Sequence, residues 1–493
     1  MGKKDNTEYK SVFKNTVAFG GLQSITVLVS ALKGKFLAMF LGPAGLGVYN
    51  ILLNSLNMIT TVNDLGLEFS AVRNISENIE NESKIIRTVT IVRKLFLWTG
   101  ILGAIFTIFF SNLLSIWSFG TSDYTLSFIF LSLYVFFTTI TKGQQTIFRG
   151  IRKIDFILKS GIVGSIAGLL ISFPLIYFYR EEGIVPTLIL TSLVIYFTSL
   201  YYFRKIKLEK TDVERSDFLV ESKDMIKLGI MLMVSILVGM VVKYLISIGI
   251  SRIGNVNDVG LYTAATSISG QYIGFILTAL SADYFPRLSA CHNNINKMNK
   301  VVNDQAEVVL LLATPILIIM IITAPLMIRV LLTKEFMPIV TFIRFIALGS
   351  FFQLFSYCLG YISFAKNDKR TYLFLEAGFG ASLHLVVTLV SYYFWGVDGF
   401  GYGFLIIYVV YTLVISIVTF SLYNFRVHKE TLKFFIYNFL FIISSFLLFF
   451  KWDNYISYII GSLILVINVI YSYKQLNEKL DIKNIIKSKF RRK

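Results

Sequence analysis

Charged side chains interrupt the apolar stretches of this chain at only a few positions, and those positions carry its candidate chemistry. Lys33 and Lys35 fall inside the first apolar run, Asp64 and Glu68 end the second, and Lys243 lies in the seventh. Arg329 and Arg344 sit near the ends of later runs, and Glu376 and His384 lie within another. A charge at such a depth faces a water-filled cavity or another charge. Lys33, Lys35 and Lys243 therefore read either as a cationic surface for a polyanionic headgroup, or as side chains that snorkel or pair internally. Asp64, in TTVNDLGLEF, pairs with one of these cavity lysines, takes a coupling cation, or caps the polar end of its run, while Glu68 reads as solvated. Arg329 and Arg344 suit headgroup contact, Glu376 suits an internal pair, and His384 suits packing as readily as proton relay.

Around these charges the second run offers Asn54, Asn57, Thr60, Thr61 and Asn63, and the eighth offers Thr263, Thr266, Ser267, Ser269 and Gln271. Such groups fit sugar hydroxyls and interhelical hydrogen bonds alike. There is no glycine-rich phosphate loop ending in Lys-Ser or Lys-Thr, no metal-ligand spacing and no G-x-S-x-G nucleophile pattern. The two cysteines, Cys291 and Cys358, form neither a disulfide framework nor a metal cluster. The residues point to binding and movement rather than catalysis, with no cofactor and with H⁺ or Na⁺ gradients as possible drives.

The elements that must position these groups are membrane helices. The chain has 493 residues, 55% hydrophobic and 15% charged, with a mean hydropathy of +0.69, which excludes a soluble globule. Windows of roughly 20 apolar residues predict spans at about 12–41, 45–66, 91–117, 122–142, 156–179, 184–203, 226–250, 260–281, 306–329, 337–363, 371–394, 398–423, 433–450 and 455–473. The fold class is thus an all-α polytopic membrane protein with fourteen spans, or twelve without the final pair. The N-terminal run reads as a retained first helix rather than a cleaved leader, since Lys33 and Lys35 break it and no small-residue cleavage site follows.

With a cytoplasmic N-terminus, the outer loops hold only Arg180, Arg252, Lys334 and Lys451, and most of the 47 Lys and Arg fall on the inside. That asymmetry predicts that both termini are cytoplasmic. It also assigns the net charge of +18 to membrane lipid rather than nucleic acid, because Arg204, Lys205, Lys207 and the tail from Lys483 to Lys493 lie beside the inner leaflet. The inner loops, the longest at 66–90, 203–225 and 282–305, are too short for a separate catalytic domain.

The sequence LGPAGLGVYNILLNSLN from Leu41 returns as IGNVNDVGLYTAATSIS from Ile253, so that Gly47-Val48-Tyr49 matches Gly260-Leu261-Tyr262. The halves read as parallel repeats of six spans each. The predicted organisation is a bundle at 1–203, a cytoplasmic linker at 204–225, a second bundle at 226–423, and two added helices with a basic tail at 424–493.

KGKFLAMFLGPAGLGVYN at 33–50, NDLGLE at 63–68 and SADYFPRLSA at 281–290 resemble the bacterial O-antigen and polysaccharide flippases of the multidrug, oligosaccharidyl-lipid and polysaccharide exporter superfamily. The likeness spans essentially the whole chain and is closer to the enterobacterial common antigen subgroup than to drug exporters. The resemblance implies two six-helix bundles that carry an undecaprenyl-pyrophosphate-linked oligosaccharide to the periplasmic leaflet of the bacterial inner membrane by alternating access. It also implies a glycan polymerase and a chain-length regulator as partners. Asp283, Pro286 and Arg287 follow at the cytoplasmic end of the eighth span, where Arg287 either steers lipid phosphate or marks a helix exit. The expected transport residues are Lys33, Lys243, Asp64, Lys35, Arg287, Arg344 and Glu376. A cation-coupled drug antiporter of the same architecture is the alternative, and a glycan polymerase or ligase is a third reading that lacks a large catalytic loop.

Overall fold

The computed structural model describes residues 4–77, 82–151, 153–206, 215–291, 293–366 and 368–480, with backbone alone over 4–28, over parts of 215–291 and at a few helix positions elsewhere. Lys207, the tail 483–493 and the side chains of Asp283 and Pro286 lie outside the described residues. The elements run α1 (Lys4–Asn63), α2 (Leu67–Glu77), α3 (Glu82–Phe109), α4 (Ser111–Phe119), α5 (Thr125–Gly150), α6 (Ile154–Tyr179) and α7 (Ile184–Arg204). They continue as α8 (Arg215–Ile253), α9 (Val256–Cys291), α10 (Ile295–Leu331), α11 (Val340–Ala365), α12 (Lys369–Leu373), α13 (Ala381–Tyr423), α14 (Lys429–Lys451) and α15 (Tyr455–Leu480). A π-helical segment, Phe374–Gly380, joins α12 to α13. This is a multi-pass, all-α membrane protein. Among the described residues nine helical stretches are long and apolar enough to cross a bilayer.

Three of those stretches are too long to be single crossings. A continuous 60-residue α1 would reach about 90 Å, three times the roughly 30 Å of a hydrocarbon core. It reverses at Gly42, whose φ of 62° and ψ of −172° suit only glycine, and Pro43 opens the returning arm with its fixed φ. The α6–α7 stretch turns through a short 3₁₀ segment, Arg180–Gly183, and α13 reverses at Gly396, with φ 57°.

By spatial clustering the chain forms two compact units, 1–260 with 331–333, and 261–330 with 334–493. In the first, α8 packs along α1 beside α2, α3 and α4. The contact is polar along its length: Asn54 donates to Ser247 at 3.1 Å, Thr61 to the Met240 sulfur at 3.0 Å, and the Ser118 and Tyr244 hydroxyls meet at 2.9 Å.

Backbones touch at both ends of that seam. A Cβ on Gly47 would overlap the carbonyl of Val256, and one on Gly260 would overlap the carbonyl of Pro43. These four residues obey the repeat offset, since Gly47 matches Gly260 and Pro43 matches Val256, so the two turns interlock reciprocally. In the second copy the reversal is capped by Asn255, whose side chain accepts from the Asp258 N–H at 3.0 Å. At the other end Gly66, with φ 69°, lies against the backbone of Gly229.

Two arginines of the expected outer loops cap helix ends here. Arg180 donates to the Phe40 carbonyl at 2.7 Å where the first arm of α1 ends. Arg252 donates to the carbonyls of Ile116 and Trp117 at the end of α4. Cations at helix C-termini meet the negative end of the dipole and its orphan carbonyls.

The stretch 66–90, expected as a loop, is largely helical. Leu67, Ala71 and Ile75 recur every four residues and are buried with Ile86, Phe96, Phe148 and Met225 in one apolar cluster. In the second unit a polar ridge on α10 does comparable work against the segment before α14. Asn303 donates to the Arg426 carbonyl at 2.9 Å and accepts from the His428 N–H at 2.8 Å, and Thr431 donates to buried Glu307 at 2.6 Å.

Replacing Gly260 by Val drives a branched side chain into the Pro43 carbonyl, and overpacking of this kind costs at least about 2 kcal/mol. Thermal unfolding of the detergent-purified protein should show the loss. Gly34→Ala, at a glycine with nothing within 4 Å of the added methyl, should leave the midpoint unchanged. A Gly260→Val protein as stable as native would show that the turns do not interlock.

Candidate functional site

Lys33 lies in the first arm of α1, half-buried. Its ammonium stands 5.9 Å from the centre of the Tyr49 ring on the returning arm. Opposite, α6 carries Gly168, where an added Cβ would lie 3.8 Å from the Lys33 Nζ and 3.6 Å from the Thr191 hydroxyl of α7. The nearest neighbour of that Cβ is the Thr191 methyl at 3.0 Å, so the glycine lets α7 pack close to α6 beside the Lys33 ammonium. The Thr187 and Thr191 hydroxyls, one turn apart on α7, are buried without a hydrogen-bond partner among the described residues. Nor does any described carboxylate pair with Lys33. A lysine in a span costs about 2.5–3.5 kcal/mol on insertion scales, and among the described residues no carboxylate offsets that cost at Lys33.

The other expected residues sort differently. Lys35 is half-buried two residues further along α1. Lys243 is exposed on α8, its carbonyl accepting from Ser247 at 3.0 Å. Asp64 is 4% exposed and already engaged: it accepts from the Gly66 N–H at 2.8 Å and pairs with Lys142 of α5 at 3.2 Å. The carboxylate caps the turn into α2, and the lysine it meets is Lys142 rather than Lys33, Lys35 or Lys243. Glu68 pairs with Arg149 one helical step further on.

In the second unit Arg287 donates to Gln305 at 2.9 Å. Arg344, expected at the headgroups, is 5% exposed. Its guanidinium donates to the Phe449 carbonyl at 3.0 Å and the Asp453 carboxylate at 3.0 Å, and lies over the Phe449 ring. The planar fork thus ties α11 to the end of α14 and the turn into α15. Glu376 sits in the π-helical segment, exposed, and accepts from Tyr411 at 2.8 Å. Nearby, Gln353 donates to Tyr408 at 2.8 Å, and Tyr357 and Tyr361 share a hydrogen bond at 2.7 Å. Single π turns inside helices frequently mark functional positions because they re-aim side chains.

Among the described residues no group of His, Cys, Asp and Glu is arranged to hold a metal ion. Sequence reasoning missed Gly168, Thr187, Thr191, Lys142 and Asp453. Only Gly168 left a trace, as one glycine of the run GIVGSIAG in an apolar span.

The model of the polysaccharide biosynthesis protein family matches residues 36–341, which is more than half of the chain and includes the returning arm of α1, α6, α7 and α8. The chain belongs to that family. It is also similar to a Shigella flexneri protein named "Putative O-antigen transporter", 28% identical over 332 residues that cover 65% of this chain and 76% of that one. Among solved structures, the lipid II flippase MurJ in an inward closed conformation superposes with a TM-score of 0.73 at 15% identity, covering 94% of this chain and 99% of that one. An inward-facing multidrug resistance MATE transporter of the MOP superfamily superposes with a TM-score of 0.68 at 16% identity, over 81% and 96% of the two chains. The fold is therefore the one that MurJ and MATE transporters share.

Arg344→Ala removes the donors to the Ile321 and Phe449 carbonyls and leaves Asp453 without its cation. Breaking a buried pair costs about 3–5 kcal/mol, reduced here to about 2 kcal/mol because Asp453 is partly exposed. A lower thermal midpoint is expected, with little rescue by Arg344→Lys, which lacks the fork. A variant as stable as native would contradict the clamp.

Proposed function

We propose that this member of the polysaccharide biosynthesis protein family is a flippase. It carries an undecaprenyl-pyrophosphate-linked oligosaccharide, such as an O-antigen or capsule repeat unit, from the cytoplasmic to the periplasmic leaflet of the bacterial inner membrane. The observation that carries this reading is Lys33, an ammonium with no carboxylate partner among the described residues, beside unused hydroxyls. A pyrophosphate supplies the missing negative charge, and a glycan hydroxyl supplies a partner for Thr191. The family match and the likeness to a named O-antigen transporter support the same substrate class.

The transport cycle is alternating access, with the bundles at 1–203 and 226–423 as its moving parts and residues 424–493 as an added pair. Fourteen spans place both termini in the cytoplasm, as the basic inner loops favour. Lys243 and Lys35 extend the cationic route begun by Lys33, and Arg287 guides lipid phosphate at the inner mouth. Arg344 supports the route by fixing the end of α11. Asp64, paired with Lys142, and Glu376, held by Tyr411, are the acids through which an H⁺ or Na⁺ gradient drives the cycle. The enterobacterial common antigen class is the finer glycan assignment, resting on NDLGLE and SADYFPRLSA. A glycan polymerase and a chain-length regulator receive the product.

Leaflet-resolved transport of undecaprenyl-pyrophosphate glycans in sealed proteoliposomes tests this. Lys33→Ala should lower the rate at least about tenfold, the worth of one charge-assisted contact. Lys33→Arg should retain much of it, and Gly168→Leu, which fills the space beside the ammonium, should resemble Lys33→Ala. Native protein that moves no such glycan under any ion gradient, but exchanges small cations for protons, would move the assignment to antiport.

A further inference from the structure

A second charged site belongs to the second unit, where α10 finishes. A cavity of about 590 Å³ opens there between α10, α11 and the turn joining α14 to α15. That volume lies within the roughly 300–1,000 Å³ of small-ligand pockets. Its walls combine apolar Pro325 and Val340 with Arg329, Arg344, Asp453 and Tyr458.

The charges do not cancel. Arg344 and Asp453 neutralise each other at 3.0 Å, whereas exposed Arg329 makes no ion pair or hydrogen bond among the described residues. One guanidinium is left over, which matches one singly charged phosphodiester. The surrounding aromatics fix the depth. Trp452 is 52% and Tyr455 90% exposed at the same turn, and amphipathic rings gather at the headgroup level of a bilayer. A cavity at that level, walled in part by Pro325, Met337 and Val340, is reached by lipid more readily than by a soluble anion.

We propose that this cavity holds the phosphodiester headgroup of a bilayer phospholipid, with Arg329 as its counter-charge. The site does not depend on which substrate the protein carries or which membrane face α10 reaches. A bound headgroup there braces the α14–α15 turn against α10 and α11.

Native mass spectrometry of the detergent-purified full-length protein tests it, with dioleoylphosphatidylglycerol, dioleoylglycerol and sodium phosphate as probes. The phospholipid should bind saturably, and dioleoylglycerol, with the same tails and no phosphate, at least about tenfold more weakly. Arg329→Gln should weaken phospholipid binding by a similar factor, Arg329→Lys by no more than about threefold, and Lys334→Gln, outside the cavity, not at all. Because Arg329 is exposed, its variants should fold, and Arg329→Lys separates loss of charge from loss of structure. Unchanged binding by Arg329→Gln, or equal binding of dioleoylglycerol, would overturn the proposal. Sodium phosphate that displaces the lipid at equal concentration would make the cavity a free-anion site and overturn the lipid assignment.

Discussion

A charge inside a bilayer has no water to fall back on, so each one must be matched within the protein or reserved for something that arrives. This chain does both. Asp64 meets Lys142, Arg344 meets Asp453, Glu307 takes the Thr431 hydroxyl, and Arg180 and Arg252 cap helix ends. These groups hold helices in register. Lys33 is different in kind: a half-buried ammonium facing an aromatic ring and spare hydroxyls, with the opposing residue reduced to glycine. The proposed function rests on the same division, since carrying a charged lipid-linked glycan requires a cation that the protein's own acids have not claimed.

The matched charges work because backbones come close enough to let short side chains reach. The reciprocal contact of Gly47 with Val256 and of Gly260 with Pro43 brings α8 against α1. Only then do Asn54 and Ser247, or Ser118 and Tyr244, lie within hydrogen-bond distance. Polar bonds between membrane helices are modest singly, so the seam depends on several made together over one close approach. A side chain at either glycine would separate the helices and leave those groups unsatisfied.

Much of this was legible in the sequence. The repeat offset gave the interlocking turns their register, the charge interruptions exposed Lys33, and the gap between the spans predicted at 12–41 and 45–66 falls at the Gly42-Pro43 reversal. What stayed hidden had physical reasons. Asp453 lies 109 residues from Arg344, and a pair so distant leaves no local pattern. The amphipathic α2 is 11 residues long, too short for a search tuned to about 20 apolar residues, although Leu67, Ala71 and Ile75 show its period. Thr191 looks like an ordinary span residue, because only the fold sets its hydroxyl beside Gly168 and Lys33. Arg344 was read as interfacial because a guanidinium near a span end usually is. Its burial became visible only once the α14–α15 turn was seen to close over it.

The central claim is that Lys33 is kept free for a phosphate-bearing lipid, and its own ammonium can report this. Reductive ¹³C-methylation of the purified protein, with Lys33→Arg to assign the signal, gives Lys33 a resonance of its own. Adding an undecaprenyl-pyrophosphate glycan should shift that resonance saturably, while undecaprenol, which has the same tail without phosphate, should leave it in place. A Lys33 signal indifferent to the glycan, or equally moved by undecaprenol, would contradict the account.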